Sequence, residues 1–293
     1  WTEAVFALSP AEGGPLAPHV RTLMAPDDYR GPYRRGEPDL GERYAADADR
    51  AVGSLRESGL EPAAFVVDTG LCSNGMLDGP PGYLKGVFDR VHAAGGLCIA
   101  DEVQAGFGRP GTHMWGFEAH GLTPDFVTMG KPIGNGHPIG VVVTTPEILA
   151  QFTEHEGFFS TFGGNTVACA AGMAVLDVLE REHLQENARV VGEHMRAGMR
   201  ALIDRHPMLG DVRGRGFLNG AELVKSRETL EPATAETKRV MNLMREHGVL
   251  VGREGPNENV LKIRPPLALS REQADMVVDA LDRALTEAEA AAT

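Results

Sequence analysis

A mainly parallel α/β sheet with flanking helices, followed by a smaller C-terminal α+β unit, is the fold class this sequence predicts. Three observations carry it. Residues 63–68, 97–101, 125–130 and 139–144 are short apolar runs without alternation, the pattern of strands buried on both faces. Between the first two, Tyr83 to Ala94 sets Leu84, Val87, Phe88 and Val91 at helical spacing. A strand, a helix and a strand in that order make a crossover unit, which favours parallel pairing. Beyond residues 180–186 the pattern changes to long amphipathic helices with short strands among them. The expected domains are therefore 1–183 and 184–293.

The elements follow in order. Gly163-Gly164-Asn165 opens an alanine-rich helix from about Thr166 to Glu180. Its start reads either as an anion seat of backbone amides or as an ordinary loop capped by Asn165. The next helix turns Leu184, Ala188, Val191, Met195, Met199 and Leu202 to one side and stops before Pro207. Its methionines read as core. Phe217–Val224, Val249–Val251 and Val260–Ile263 read as strands, with a helix over 234–247. Ser270 and Gln273 form a capping-box pair at the start of the last helix. Ala274, Val277, Val278 and Leu281 are its inward positions, and the tail after Leu285 is expected to fray. No internal repeat is visible.

Composition narrows the function classes. Of 293 residues, 42% are hydrophobic and 24% charged, a globular profile, and the formal net charge is −13. Such acidity opposes nucleic-acid or anionic-membrane binding, so neither partner is expected. Cys72, Cys98 and Cys169 are odd in number and widely spaced, which points to a reducing, cytoplasmic setting without a disulfide frame or zinc site. Cys98 and Cys169 read as small core residues. No run is long and apolar enough for a membrane span, and no basic-then-apolar leader is visible. The chain opens at Trp1 on residues that resemble the middle of a domain, so a partial chain is expected.

The chemistry starts at Lys131, which follows the run Phe126-Val127-Thr128-Met129-Gly130. Thirty positions earlier another run, Leu97-Cys98-Ile99-Ala100, ends in Asp101-Glu102. In open α/β sheets ligands bind at the carboxyl ends of strands, where Asp68, Asp101 and Lys131 fall. An amine and a carboxylate there suit pyridoxal phosphate, whose aldehyde forms a Schiff base with lysine and whose pyridinium nitrogen pairs with an aspartate. A helix cap or surface turn is the structural alternative for Asp101.

Several stretches together resemble the class III pyridoxal-phosphate aminotransferases. They are Ile99 to Arg109 (IADEVQAGFGR), Pro124 to Lys131 (PDFVTMGK), Thr161 to Asn165 (TFGGN) and Gly210 to Gly216 (GDVRGRG). The resemblance implies PLP fold type I, the aspartate aminotransferase-like fold, with pyridoxal 5'-phosphate as cofactor. It further implies that Lys131 holds the cofactor and shuttles the proton, and that Asp101 keeps the ring nitrogen protonated. Val103 would pack on the ring, Gln104 would bond its phenolic oxygen, and Thr161 would reach the phosphate of the other subunit in a homodimer with a shared active site.

A narrower resemblance, to the alanine–glyoxylate aminotransferase 2-like and ethanolamine-phosphate phospho-lyase branch, is carried by four further stretches. These are Ala25 to Gly31 (APDDYRG), Gly134 to Pro138 (GNGHP), Pro232 to Glu236 (PATAE) and Asn259 to Lys262 (NVLK). Lys262 stands where typical members have a carboxylate-gripping arginine, and is the candidate substrate residue. A lysine supplies a point charge without the planar fork. Arg264 is read as pointing away from it. Asp68 replaces a glutamate and is left out of the catalytic set. Neither the family's phosphate-cradling glycine–serine/threonine loop nor its ring-stacking aromatic is found.

The expected activity is transfer of an amino group from an amine or amino acid to a keto acid or aldehyde. The alternative is a phospho-lyase that eliminates phosphate and ammonia from phosphoethanolamine or phosphohydroxylysine-type substrates. A catalytically silent chain that only dimerises is a third reading. An ATPase is excluded, because no G-x-x-x-x-G-K-[ST] accompanies Asp101-Glu102. His113, His120 and His137 are assigned no chemistry, and Arg109 is read as orienting a loop.

Overall fold

The computed structural model describes residues 7–10 and 15–291. Trp1 lies outside them. Contacts divide the chain into two units, one of residues 1–66 and 79–99, the other of residues 67–78 and 100–293.

The first unit holds helices α1 (Leu40–Ala45), α2 (Asp47–Glu57) and α3 (Tyr83–Ala93). It also holds the beginnings of strands β1 (Ala64–Asp68) and β2 (Leu97–Asp101). The helix read over 83–94 is α3, and it buries Leu84, Val87, Phe88 and Val91 as its spacing requires. Ala25–Gly31 is a turn built by Asp27, whose Oδ1 accepts the N–H groups of Tyr29 and Arg30, both at 2.9 Å. Tyr44 donates its hydroxyl to the Asp27 carbonyl at 2.7 Å. A side chain at Gly31 would fall 2.1 Å from that hydroxyl, so only glycine fits.

In the second unit the ends of β1 and β2 continue beside β3 (Phe126–Met129) and β4 (Val141–Thr144), in the order β1-β2-β3-β4. β4 runs antiparallel to β3, with Phe126 opposite Thr144, so the sheet is mixed. Residues 139–144 were expected to form a buried strand. Instead Ile139 and Gly140 precede β4, and Val142 and Val143 are 65% and 48% exposed. Helices α4 (Pro146–His155) and α5 (Thr166–Arg181) follow, and neither contains a buried residue. Cys169, expected in the core, is exposed on α5.

Helix α6 (Leu184–Ala201) then lies against an antiparallel sheet of β5 (Leu209–Arg215), β6 (Leu218–Leu223), β7 (Gly252–Glu254) and β8 (Val260–Ile263), in the order β5-β6-β8-β7. With α7 (Thr234–Glu246) and α8 (Arg271–Ala290) it encloses a core running from Ala188 to Ala288. The sequence boundary at 183/184 falls between α5 and α6.

Two local expectations are corrected here, and one strand is added. Residues 249–251 are not a strand: Val249 N–H returns to the Met244 carbonyl at 2.9 Å, so they belong to the exit of α7 and β7 starts three residues later. Strand β5 went unread because glycine and charge interrupt it. After Leu285 the helix continues to Ala290, where fraying was expected, for Ala288 is buried and Glu289 binds His206 and the Met208 amide. The Ser270–Gln273 capping box is present as read.

Candidate active site

All the candidate residues lie in the second unit. Asp101 ends β2 and Lys131 follows β3, and the two strand ends are locked in register by a Glu102 N–H to Thr128 carbonyl bond of 2.9 Å. Asp101 and Lys131 thus stand at the ends of neighbouring strands. Asp101 Oδ1 accepts the Val103 N–H at 2.9 Å, which turns the chain sharply after β2. The turn brings Val103 against the backbone just before the lysine. A side chain at Gly130 would meet its two methyl carbons at 3.5 and 3.6 Å. Lys131 itself is exposed and sits at φ 33°, in the left-handed region that lysine avoids. Backbone strain of that kind concentrates where function holds it.

Glu102, beside the chemistry, is fully buried and saturated. Its Oε1 accepts from the Thr69 hydroxyl at 2.7 Å and the Phe117 N–H at 2.9 Å, and its Oε2 from the Gly116 N–H at 2.8 Å. Burial pushes its carboxyl up, against the pull of these bonds. It braces the loop that carries Val103 and Gln104.

Asp68 is also structural. Its two oxygens accept the Gly70 and Cys72 amides at 3.0 and 2.8 Å, organising the loop after β1. Burial raises its carboxyl, and the charge of Asp101 adds to the rise. The same loop is held further on by Arg213 Nε, which donates to the Gly75 carbonyl at 2.9 Å. Arg213 in turn pairs with buried Asp211 at 3.0 Å and Glu222 at 2.6 Å.

The reading that Arg264 points away from Lys262 is wrong. Side chains alternate along a strand with period two, so residues two apart share a face. Arg264 lies just beyond β8 and donates Nη1 to the Gln104 Oε1. Lys262 donates to Glu254 on β7. Both cations act on the Cys72 thiol: burial drives it far up, the Asp68 charge adds, and Lys262 and Arg264 oppose. Arg109 joins the cluster, its Nη1 donating to the Pro265 carbonyl at 2.8 Å. Burial, with Arg264 helping, pulls its guanidinium down to about 10. Its loop-orienting role is the one read from sequence. A chain of contacts therefore leads from Gly130 through Val103 and Gln104 to Arg264 and the face of Lys262.

Thr161 stands in an exposed bend between α4 and α5. Asn165 caps α5 by accepting the Ala168 N–H at 2.9 Å, which is the plain structural reading of that loop. His137 sits in the turn after Lys131, its N–H bonded to the Gly134 carbonyl at 3.0 Å.

The donor set fits pyridoxal phosphate on one observation. Arg264 occupies the carbonyl end of the Gln104 amide, leaving the NH2 end to donate, as a phenolate oxygen requires.

A family model described as aminotransferase class-III matches residues 10–285. The chain belongs to the class III aminotransferases. It is 45% identical over 268 residues to alanine–glyoxylate aminotransferase 2 homolog 2, mitochondrial, of Arabidopsis thaliana, an alignment covering 92% of this chain and 54% of the relative. It is 36% identical over 279 residues to ethanolamine-phosphate phospho-lyase homolog 1 of Caenorhabditis elegans, covering 91% and 60%. Among solved structures, a phospholyase from Arthrobacter in complex with phosphoethanolamine matches with a TM-score of 0.88 and 46% identity, over 93% of this chain and 64% of that one. The chain thus spans less than two thirds of the length of these relatives. The α/β architecture expected from sequence is that of the family, whose members depend on pyridoxal phosphate.

Proposed function

We propose that this chain carries the lysine half of a pyridoxal-phosphate site for amino-group transfer. The observation that carries the reading is Lys131, strained at the end of β3 beside the strand end that bears Asp101. Bound there, the cofactor supplies an aldehyde to take up the amine and a ring to accept the electron pair when the adjacent C–H bond breaks. Asp101 holds a proton on the ring nitrogen. The Lys131 amine takes the proton from the substrate carbon and returns it at the cofactor. Val103 packs on the ring, and the Gln104 NH2 group donates to its phenolic oxygen.

A phospho-lyase outcome uses the same residues as far as proton removal. Two observations favour it as the second reading: the likeness to a phospholyase with phosphoethanolamine bound, and the placement of Lys262 and Arg264, both acting on the Cys72 thiol, where together they would seat a substrate anion. Pyruvate-dependent transfer from an amine is assayed against phosphate release from phosphoethanolamine. Transfer without phosphate release supports the first reading, and release without a keto-acid requirement supports the second. Loss of neither on Lys131→Ala contradicts both.

The site also extends to a second copy in this proposal, with Thr161 of one subunit serving the cofactor phosphate of the other in a homodimer. A reducing, cytoplasmic location belongs to the same proposal, supported by the odd number and wide spacing of Cys72, Cys98 and Cys169.

A further inference from the structure

Lys262 is flanked by glycine on both sides of its sheet. The registers set it opposite Gly220 on β6 and Gly252 on β7, so neither cross-strand neighbour has a side chain to cover it. A side chain at Gly252 would touch the Lys262 stem at 3.8 Å. Glu254, two residues along β7, is the diagonal neighbour on the same face and takes the ammonium. The side chains of the pair keep 16% and 26% of their exposure, so an incoming anion can reach them. Arg264, next on that face, donates to a neutral amide, and no carboxylate pairs with it among the described residues.

We propose that Glu254 is the specificity-determining residue of the anion seat, a resident counterion that sets how much of the Lys262 charge a substrate can use. This deepens the reading above and rests on it. With Glu254 in place the two cations and one carboxylate sum to a single positive charge. Without it they sum to two. The gain scales with ligand charge, so a dianionic phosphate gains more than a monoanionic carboxylate, and an uncharged amine gains nothing. Glu254 therefore moderates the grip on phosphate-bearing amines, and on inorganic phosphate once released.

The test titrates inorganic phosphate into the cofactor-loaded protein, read by phosphorus NMR line width, for the wild type, Glu254→Gln, Glu254→Asp and Lys262→Met. Glu254→Gln is expected to tighten phosphate about ten-fold, Glu254→Asp to stay near the wild type, and Lys262→Met to weaken it about as much. The KM for phosphoethanolamine should fall in Glu254→Gln by far more than that for propylamine. The proposal is overturned if Glu254→Gln leaves phosphate affinity unchanged or weaker, or if both amines shift equally. Failure of the wild type to give the visible absorbance of lysine-bound cofactor would defeat the functional reading instead, and the phosphate comparison would still judge Glu254.

Discussion

At the scale of single residues, the carboxylate next to the chemistry is as instructive as the chemistry. Glu102 spends both oxygens on three donors, so truncating it leaves the Thr69 hydroxyl and the Gly116 and Phe117 amides without their acceptor. Glu102→Ala is expected to cost about 2–4 kcal/mol of stability, measured by denaturant unfolding. A loss below half a kcal/mol would show that the loop relaxes around the gap. Lys131 and Asp101 were legible because each follows an apolar run, and position at a strand end speaks to ligand binding. The role of Glu102 was not, since its partners lie far away in sequence. The counterion of Lys262 was hidden for the same reason: Glu254 becomes its neighbour only through strand register.

At the scale of elements, α8 is tied down by charge near its end. His206, buried after α6, sets its ring between two carboxylates, Nε2 2.7 Å from Asp282 Oδ1 and Nδ1 2.9 Å from Glu289 Oε2, while Arg205 pairs with Asp282 at 3.0 Å. Burial alone would raise the Asp282 carboxyl, but the His206 bond and the Arg205 charge outweigh it and hold it low. A carboxyl held lower in the folded chain stabilises the fold above its unfolded pKa, near 4, and loses that contribution as pH falls through the folded value. Acid unfolding of the wild type should therefore steepen below about pH 4, and Asp282→Asn should flatten it. Parallel stability curves for the two would contradict this. The sequence reading let this tail fray because alanine and glutamate carry little apolar signal, and the ion cluster that anchors it joins positions 76 and 83 residues apart. Strand β5 escaped in the same way, its buried Arg213 meeting Glu222 and the Gly75 carbonyl, partners distant in sequence.

At the scale of the whole molecule, β4, α4 and α5 hold no buried residue, yet they are rich in large apolar side chains. Phe158, Phe159 and Phe162, around Thr161, are 76%, 88% and 79% exposed. Apolar area of that extent is covered in most proteins. Covered by a second copy, it would put Thr161 at the interface where the shared-site proposal needs it. Light scattering should then give twice the mass of one chain, and Phe159→Asp should return it to a single chain with loss of activity. A single-chain mass for the wild type would remove the shared site. The valines of β4 read as buried from sequence because apolar runs report that a surface is covered, without saying by what.

The central claim is that Lys131 is the amine that holds the cofactor. Borohydride reduction of the protein loaded with pyridoxal phosphate, followed by peptide mass spectrometry, tests it most directly. The expected result is a reduced pyridoxal-phosphate adduct on the peptide containing Lys131, absent after Lys131→Ala. An adduct confined to other lysines, or none at all, would contradict it.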